Sequence, residues 1–299
     1  MGSAARIRHT GQVTDRPLLA IVCALLAALL FAVSSVTQQR AAAAVPQGEA
    51  LVGGLMRSPR WWAAIVGDVG GYGMQVLALG FGAVLLVQPI LVCSLVFALP
   101  LAARLNRQRV TGRAAATAGV LVTALVVFLV VGHPTAGAET APLRDWLAPL
   151  AILLGVVAAA TAAGFRRADP AEQALALGLA GGCLFGLAAA LTDRVVALFG
   201  DGLGAVLTGW QTWALVAAGL LGFALQQRAY QVGPLVASLP AATVAEPLAA
   251  AFLGLTALDE RFRTGGLGLI VVIACVIVLC VTTVWLCRSQ AEPYPDTVR

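Results

Sequence analysis

Residues 224–240 read ALQQRAYQVGPLVASLP and form a polar interruption between two long apolar runs. The whole chain of 299 residues is 60% hydrophobic and only 11% charged, whereas roughly a quarter of the residues in a soluble domain are charged. Apolar runs of about 20 residues, the length that a helix needs to cross a bilayer, recur from one end of the chain to the other. The composition therefore predicts an all-α polytopic membrane protein.

Nine membrane spans are predicted, with a polar tail at each end of the chain. The tails are residues 1–16 and 288–299, and the loop 133–145 is predicted to link a first transmembrane repeat, 17–132, to a second, 146–287. Residues 41–56 are expected to form a re-entrant or surface helix, and a tenth span is the alternative. The nine predicted spans are 17–38, 60–80, 83–104, 114–132, 146–165, 173–199, 210–229, 235–257 and 267–287.

The arginines predict which side of the membrane each loop faces. Basic residues concentrate in cytoplasmic loops, so the cluster Arg104, Arg107, Arg109 and Arg113 is expected inside the cell. The C-terminus then also lies in the cytoplasm, whereas the side of the N-terminus depends on whether residues 41–56 cross. The chain has no lysine, and both of its histidines lie outside the predicted spans. These features disfavour an enzyme, and we expect no cofactor and no nucleic-acid partner.

The polar interruption belongs to an internal repeat. A shift of 151 positions superimposes residues 62–89 on residues 213–240 with seven identities and no gap. The second span therefore matches the seventh, and because the two are five spans apart, an odd number, the copies have opposite orientations. Two inverted repeats of this kind are typical of secondary transporters. The identities are Trp62/Trp213, Ala63/Ala214, Gly71/Gly222, Gln75/Gln226, Ala78/Ala229, Gly82/Gly233 and Pro89/Pro240.

Six polar residues of the predicted spans or their ends are candidates for binding substrate or a proton. Glu246 lies near the middle of the eighth span, where a charge costs about 2.5–3.5 kcal/mol, and a buried structural pair is the alternative. Gln75 and Gln226 are expected on opposite sides of the midplane, one in each half-channel, unless they only form hydrogen bonds between helices. The six candidates are Glu246, Asp68, Gln75, Gln226, Arg194 and Tyr230.

Arg194 is expected to pair with an acidic side chain on another span, either Asp68 or Glu246. Adjacent residues of a helix point about 100° apart, so Asp193 need not pair with Arg194. The alternative is that Asp193 and Arg194 both extend to the outer surface.

Two stripes of small residues predict close packing between helices. Such stripes allow two helix backbones to approach each other within a membrane. They are Gly178, Gly182 and Gly186 on the sixth span, and Ala237, Ala241, Ala245 and Ala249 on the eighth.

Two segments resemble the drug/metabolite transporter superfamily. Residues 58–92, SPRWWAAIVGDVGGYGMQVLALGFGAVLLVQPILV, resemble its NIPA-like magnesium-transporter branch, which has a Trp pair, then an acid, a run of small residues and a Pro. Residues 228–270, RAYQVGPLVASLPAATVAEPLAAAFLGLTALDERFRTGGLGLI, resemble EamA-type domains, which place a Glu before the last helix, here Glu260. The first repeat has Arg109 at the position of Glu260, and Gly70 and Gly71 stand where the magnesium branch has an Asn after the acid.

Together, the repeat and the resemblance imply a secondary transporter that works by alternating access, with proton coupling as an option. Its substrate would be a small metabolite or drug-like solute, and the Lys-free, Ala-rich composition suggests a bacterial plasma membrane. One alternative is a Mg²⁺ transporter with Asp68 and Glu246 as ligands. The other is a non-transporting scaffold of an envelope-assembly complex, which would dock through the loop 104–113 and the C-terminal tail. Beyond the bilayer and the solute or ion, a homodimer is compatible with the sequence.

Overall fold

Long helices make up most of the chain, and two short strands connect two of its loops. The computed structural model describes residues 16–43, 57–105, 110–135, 137, 142–233 and 235–291. Residues 44–56, which carry most of the predicted tenth element, and most of both predicted tails lie outside these residues. The elements are α1 (Pro17–Ala43), α2 (Pro59–Phe81), α3 (Val84–Leu91), α4 (Cys93–Leu105), α5 (Gly112–Gly132), β1 (Pro134–Thr135), α6 (Leu143–Arg166), α7 (Pro170–Leu198), α8 (Leu203–Thr208), α9 (Trp210–Val232), α10 (Leu235–Thr256), β2 (Arg261–Phe262) and α11 (Gly266–Ala291), with a 3-10 turn at Phe199–Asp201.

Eight spans of the described chain are long and apolar enough to cross a membrane, so the chain is a multi-pass, all-α membrane protein. They correspond to α1, α2, the pair α3–α4, α5, α6, α7, α10 and α11. Helix α9 has the same length as α2, 23 residues, but Gln, Arg and Trp near its ends lower its mean hydropathy. Each of the nine predicted spans coincides with one long helix or with the pair α3–α4.

Side-chain caps explain where several helices begin. Ser58 accepts a hydrogen bond from the backbone N–H of Trp61, and Pro59 follows it as the first residue of α2. Asp169 in the same way caps α7, which begins with Pro170, and Thr111 caps α5. A short polar side chain followed by Pro favours a helix start, because the oxygen satisfies a free N–H and Pro has none to satisfy.

The predicted third span, 83–104, is present as one membrane span, Val84–Arg104, with a single irregular residue between α3 and α4. Helix α3 ends at Leu91, Val92 forms a turn, and α4 begins at Cys93. Pro89 lies inside α3 and removes one hydrogen bond of that helix, because proline lacks the N–H that would bond the Leu85 carbonyl and its ring crowds that carbonyl.

The predicted glycine stripe packs against α10. A methyl group added at Gly182 would lie 2.5 Å from the Ala242 carbonyl oxygen and 2.8 Å from the Ala245 side chain, so the two backbones approach closely. Gly178 faces Ser238 in the same way, and Gly186 faces Ala249. Close packing is thus confirmed, but the contact face of α10 is shifted from the predicted stripe. It comprises Ser238, Ala242, Ala245 and Ala249, whereas Ala237 and Ala241 are only half-buried.

A two-stranded antiparallel sheet connects the loop after α5 with the loop before α11. Pro134 pairs with Phe262, and Thr135 pairs with Arg261. Phe262 also packs edge-to-face on Phe128 of α5, with ring centroids 5.6 Å apart. The predicted linker 133–145 therefore begins with a strand that ties the two halves of the chain together at one end of the bundle.

Candidate functional site

A cavity of about 70 Å³ lies between the first half of the chain, α1–α5, and the second half, α6–α11. Helices α3 and α5 form one side, and α10 and α11 form the other. Among the described residues, the wall contains no charged side chain, and its polar side chains are Gln88, Thr243 and Thr283. The surface that these residues expose to the cavity is almost entirely apolar, and small-molecule sites are lined mainly by apolar side chains.

Gln88 is the most polar group of the cavity wall. Its side chain is 2% exposed, and its Nε2 has no hydrogen-bond partner among the described residues. A buried amide without a partner is costly, by about 1–3 kcal/mol for each unsatisfied group. The neighbouring Pro89 and Val92, one turn further along, also line the cavity.

The two threonines lie on the opposite wall from Gln88. The hydroxyl of Thr243 donates to the Leu239 carbonyl at 2.8 Å, which leaves its oxygen lone pairs available as acceptors. Thr283 on α11 is 2% exposed. Pro247, inside α10, lies on the same wall, so both halves contribute a proline-containing helix to the cavity.

Glu260 joins the second half of the chain to the start of α3. Its carboxylate accepts hydrogen bonds from the backbone N–H groups of Val84 at 2.7 Å and Leu85 at 2.9 Å. These are donors at the first turn of a helix, which has no intrahelical acceptors for them. Burial raises the pKa of Glu260 to about 7, and the two backbone hydrogen bonds oppose that rise. The residue that the EamA resemblance singled out is therefore a helix cap in this structure.

Arg194 forms an ion pair with its neighbour Asp193, a pairing that the sequence left open while it favoured Asp68 or Glu246 as the partner. The Arg194 Nη2 and the Asp193 Oδ2 are 2.6 Å apart, and both side chains are largely buried, at 12% and 13% exposure. Rotation about the side-chain bonds overcomes the 100° between the two Cα–Cβ directions, because the arginine side chain is long enough to fold back. The alternative that both extend to the outer surface is also wrong.

Asp68 and Glu246 lie on different helices with different surroundings. Asp68 is half-buried on α2, one turn before Tyr72, whose hydroxyl lies 2.9 Å from the Thr192 hydroxyl of α7. Glu246 is half-buried on α10, and its backbone carbonyl faces Gly186 of α7. Neither residue lines the cavity. No group of three or more His, Cys, Asp or Glu side chains forms a possible metal site within the described ranges.

Gln75 and Gln226 lie at contacts between helices. Gln75 is 5% exposed and lies one turn after Gly71. Gly71 packs against the Phe31 ring of α1. Gln226 is half-buried, and its Oε1 would lie 3.3 Å from a methyl group added at Gly181 of α7. Neither glutamine lines the cavity. The side chain of Tyr230, the last candidate, is outside the described part of the structure.

The sequence interpretation missed Gln88, Thr243 and Thr283, which form the polar part of the cavity. One signal could have identified the first of them, because Gln88 is the only polar residue in the ten positions 83–92 and it precedes a proline. The two threonines carry no such signal. A threonine within an apolar helix commonly bonds to the carbonyl one turn earlier, as Thr243 does here.

Comparison with known proteins establishes a family relationship. A protein of Corynebacterium glutamicum, the uncharacterized protein Cgl0250/cg0304, is 35% identical to this chain over 282 residues, which cover 92% of the chain and 97% of the relative. The chain belongs to the family of that protein. The similarity to Cgl0250/cg0304 thus extends over nearly the whole chain and is not limited to one segment. No protein-family model and no solved structure matches the chain.

Proposed function

We propose that the chain is a secondary transporter that moves a small metabolite or drug-like solute across the plasma membrane by alternating access. The observation that carries the proposal is the cavity between α3 and α5 of the first half and α10 and α11 of the second. A site at the boundary between two repeats is open to either side of the membrane in turn when the repeats move against each other.

Matching helix boundaries support the two inverted repeats on which this mechanism depends. Helix α2 runs from Pro59 to Phe81 and α9 from Trp210 to Val232, so both ends are related by the shift of 151 positions found in the sequence. Each helix is followed by a glycine in an extended conformation, Gly82 or Gly233. Such a coincidence at both ends is unexpected for two unrelated helices, because helix ends depend on local sequence.

Matching contacts support the same repeats. A methyl group added at Gly82 would lie 2.7 Å from the Ala20 side chain, near the start of α1, and one added at Gly233 would lie 2.8 Å from the Ala174 side chain, near the start of α7. Within the helices, Gly71 faces a phenylalanine of α1, and its counterpart Gly222 faces a phenylalanine of α7. Helices α1 and α2 thus pack in the same manner as α7 and α9.

Neither alternative function has an observation of this kind in its favour. The Mg²⁺ hypothesis needs several oxygen ligands at one place, and Asp68 and Glu246 lie on different helices that pack against α7. The scaffold hypothesis depends on the loop 104–113, of which residues 106–109 lie outside the described ranges. We therefore retain the transporter as the proposed function, with no enzyme activity.

Distance measurements between spin labels test alternating access without knowledge of the substrate. One pair of labels is placed at Leu18 and Leu267, which are 77% and 83% exposed at the starts of α1 and α11. The second pair is placed at the exposed Val110 and Arg228, which both lie at the cytoplasmic end of the bundle in the proposed topology, the end opposite to the first pair. Both pairs are built in a cysteine-free background and reconstituted in lipid nanodiscs, at acidic and at alkaline pH.

Alternating access predicts two distance populations for each pair. A condition that lengthens the distance between Leu18 and Leu267 should shorten the distance between Val110 and Arg228, because one side closes as the other opens. A single narrow distribution for both pairs, unchanged by pH and by added solutes, would refute the proposed mechanism.

A further inference from the structure

We propose that the hydrogen bond between Tyr72 and Thr192 belongs to a gate that closes the outer end of the bundle, and that Phe223 closes the cytoplasmic end against α1 in the other state. Because the inference names the gates of the proposed transporter, it rests on the proposed function. The reason for it is a contact that the first repeat makes and the second does not.

The outer gate is the contact between α2 of the first half and α7 of the second. A methyl group added at Gly80, near the outer end of α2 in the proposed topology, would lie 3.2 Å from the Val196 side chain. About two turns earlier on α2, the Tyr72 hydroxyl lies 2.9 Å from the Thr192 hydroxyl. Because Thr192 donates its own proton to the Ala188 carbonyl, Tyr72 is the donor of this bond.

No comparable contact joins α9 to α1 within the described part of the chain. Helix α9 packs against α7, α8 and α10, all of the second half, and α1 packs against α2, α3 and α4, all of the first. A pseudo-two-fold axis in the membrane plane relates inverted repeats, so an exchange of their conformations converts the geometry of one end into that of the other. We therefore expect α9 to make in the other state the contact that α2 makes here.

The register of the expected contact follows from contacts that already exist in both repeats. Ala174 of α7 packs on Gly233 as Ala20 of α1 packs on Gly82. Phe185 likewise takes the place of Phe31. Both correspondences relate α1 to α7 by 154 positions, whereas α2 and α9 are related by 151. At this register, the glycine stripe of α7 superimposes on three buried alanines of α1, namely Ala24, Ala28 and Ala32.

These two shifts define the residues of the cytoplasmic gate. The corresponding pairs are Tyr72/Phe223, Thr192/Gln38, Gly80/Gln231 and Val196/Ala42. The Phe223 side chain is 54% exposed, so its ring is available for a new contact. Phenylalanine has no hydroxyl group, and the two gates are therefore unequal. The closed outer end gains a hydrogen bond that the closed cytoplasmic end lacks, which favours the state that the structure shows.

Disulfide cross-linking in a cysteine-free background tests the exchange. Gly80→Cys/Val196→Cys reports the outer gate, since side chains at these positions are within disulfide reach. Gln231→Cys/Ala42→Cys reports the cytoplasmic gate. Each variant is oxidised with copper phenanthroline in lipid nanodiscs, and the remaining thiols are counted with a maleimide. We expect both pairs to cross-link, the outer pair faster. Gly119→Cys/Val196→Cys is the matched control and should stay reduced, because a methyl group added at Gly119 has no atom within 4 Å.

The variant Tyr72→Phe makes the outer gate chemically equal to the cytoplasmic one. It should lower the cross-linking rate of the outer pair relative to the cytoplasmic pair about threefold; this ratio corresponds to about 0.6 kcal/mol, the average for a hydrogen bond between membrane helices. The outer pair should slow and the cytoplasmic pair should accelerate, whereas a general loosening of the bundle would accelerate both. Thr192→Val, which removes the acceptor, should act in the same way and add nothing to Tyr72→Phe.

Two results would overturn the gates but leave the transporter. One is a Gln231/Ala42 pair that never cross-links although the spin-label distances change. The other is a ratio of cross-linking rates that is the same with and without the Tyr72 hydroxyl. Spin-label distances that never change, together with a cross-link of the outer pair alone, would instead refute alternating access itself, and the exchange of gates with it.

Discussion

The hydrogen bonds from the start of α3 to Glu260 predict a loss of stability when the carboxylate is removed. In Glu260→Ala, the backbone N–H groups of Val84 and Leu85 lose their acceptors at a site where Glu260 itself is 2% exposed. Each buried donor left without a partner costs about 1–3 kcal/mol, and removal of a buried carboxyl group offsets part of that cost. We therefore expect a net loss of about 2–3 kcal/mol in the free energy of unfolding.

The variant Glu260→Gln gives the intermediate case. Its carbonyl oxygen still accepts one of the two N–H groups, but its amide nitrogen is a donor and cannot accept the other. Because the amide is uncharged, like the protonated carboxyl group that the buried site favours, we expect an effect well below that of the alanine variant. Thermal unfolding of the purified chain in maltoside micelles, followed by tryptophan fluorescence, measures the series, and a loss of 2 kcal/mol corresponds to a fall of about 5 °C in melting temperature.

Asp259→Asn is the matched control for this series. Asp259 precedes Glu260 and forms an exposed ion pair with Arg261, at 60% and 75% exposure, and exposed pairs contribute about 0–1 kcal/mol. Its φ of 53° is one that asparagine also adopts readily. The reasoning about Glu260 is refuted if Glu260→Ala unfolds at the same temperature as Asp259→Asn.

Three further predictions concern the proton, the helix contact and the coupling site. Burial raises the pKa of Glu260 from 4.5 to about 7, so the folded chain binds this proton more tightly than the unfolded chain. The free energy of unfolding should therefore fall as the pH rises from 4.5 to 7. The melting temperature of Glu260→Gln should lack this pH-dependent component. Gly182→Ala places a methyl group 2.5 Å from the Ala242 carbonyl oxygen and should lower the free energy of unfolding by about 1–3 kcal/mol. Gly219→Ala has no atom within 4 Å of the added methyl group and should raise it by up to about 1 kcal/mol in the same assay. If Glu246 carries a coupling proton, Glu246→Gln should abolish uncoupler-sensitive solute uptake into proteoliposomes, and full uptake in that variant would remove Glu246 from the mechanism.

Local hydropathy was sufficient to predict the helices, because a membrane span must satisfy its own backbone and exclude charge. The helix α10, for example, runs from Leu235 to Thr256, and the prediction was 235–257. The stripe of Gly178, Gly182 and Gly186 likewise predicted a close contact, because its spacing alone places the three residues on one face. Properties that depend on one helix were therefore predictable from the sequence.

Properties that depend on distant parts of the chain were not predictable. The cap of α3 comes from Glu260, and the strand Pro134–Thr135 pairs with Arg261–Phe262, yet no periodicity relates these segments. The cavity has the same origin, since Gln88 is a lone polar residue until α10 and α11 enclose it. The ion pair between Arg194 and Asp193 was not predicted for another reason, because backbone geometry does not determine where a long side chain ends.

The cap supplied by Glu260 also has a consequence for the order in which the protein is completed. Leu85 precedes its acceptor by 175 residues, so at about 5–20 residues per second the ribosome makes the donor roughly 10–35 s before the carboxylate. Until then, the first turn of α3 has to use water or the insertion machinery as a partner. The first turn of α3 therefore gains its acceptors only when the loop before α11 has been synthesised. A nascent chain that ends before Glu260 leaves two backbone N–H groups without acceptors, which quality control can detect.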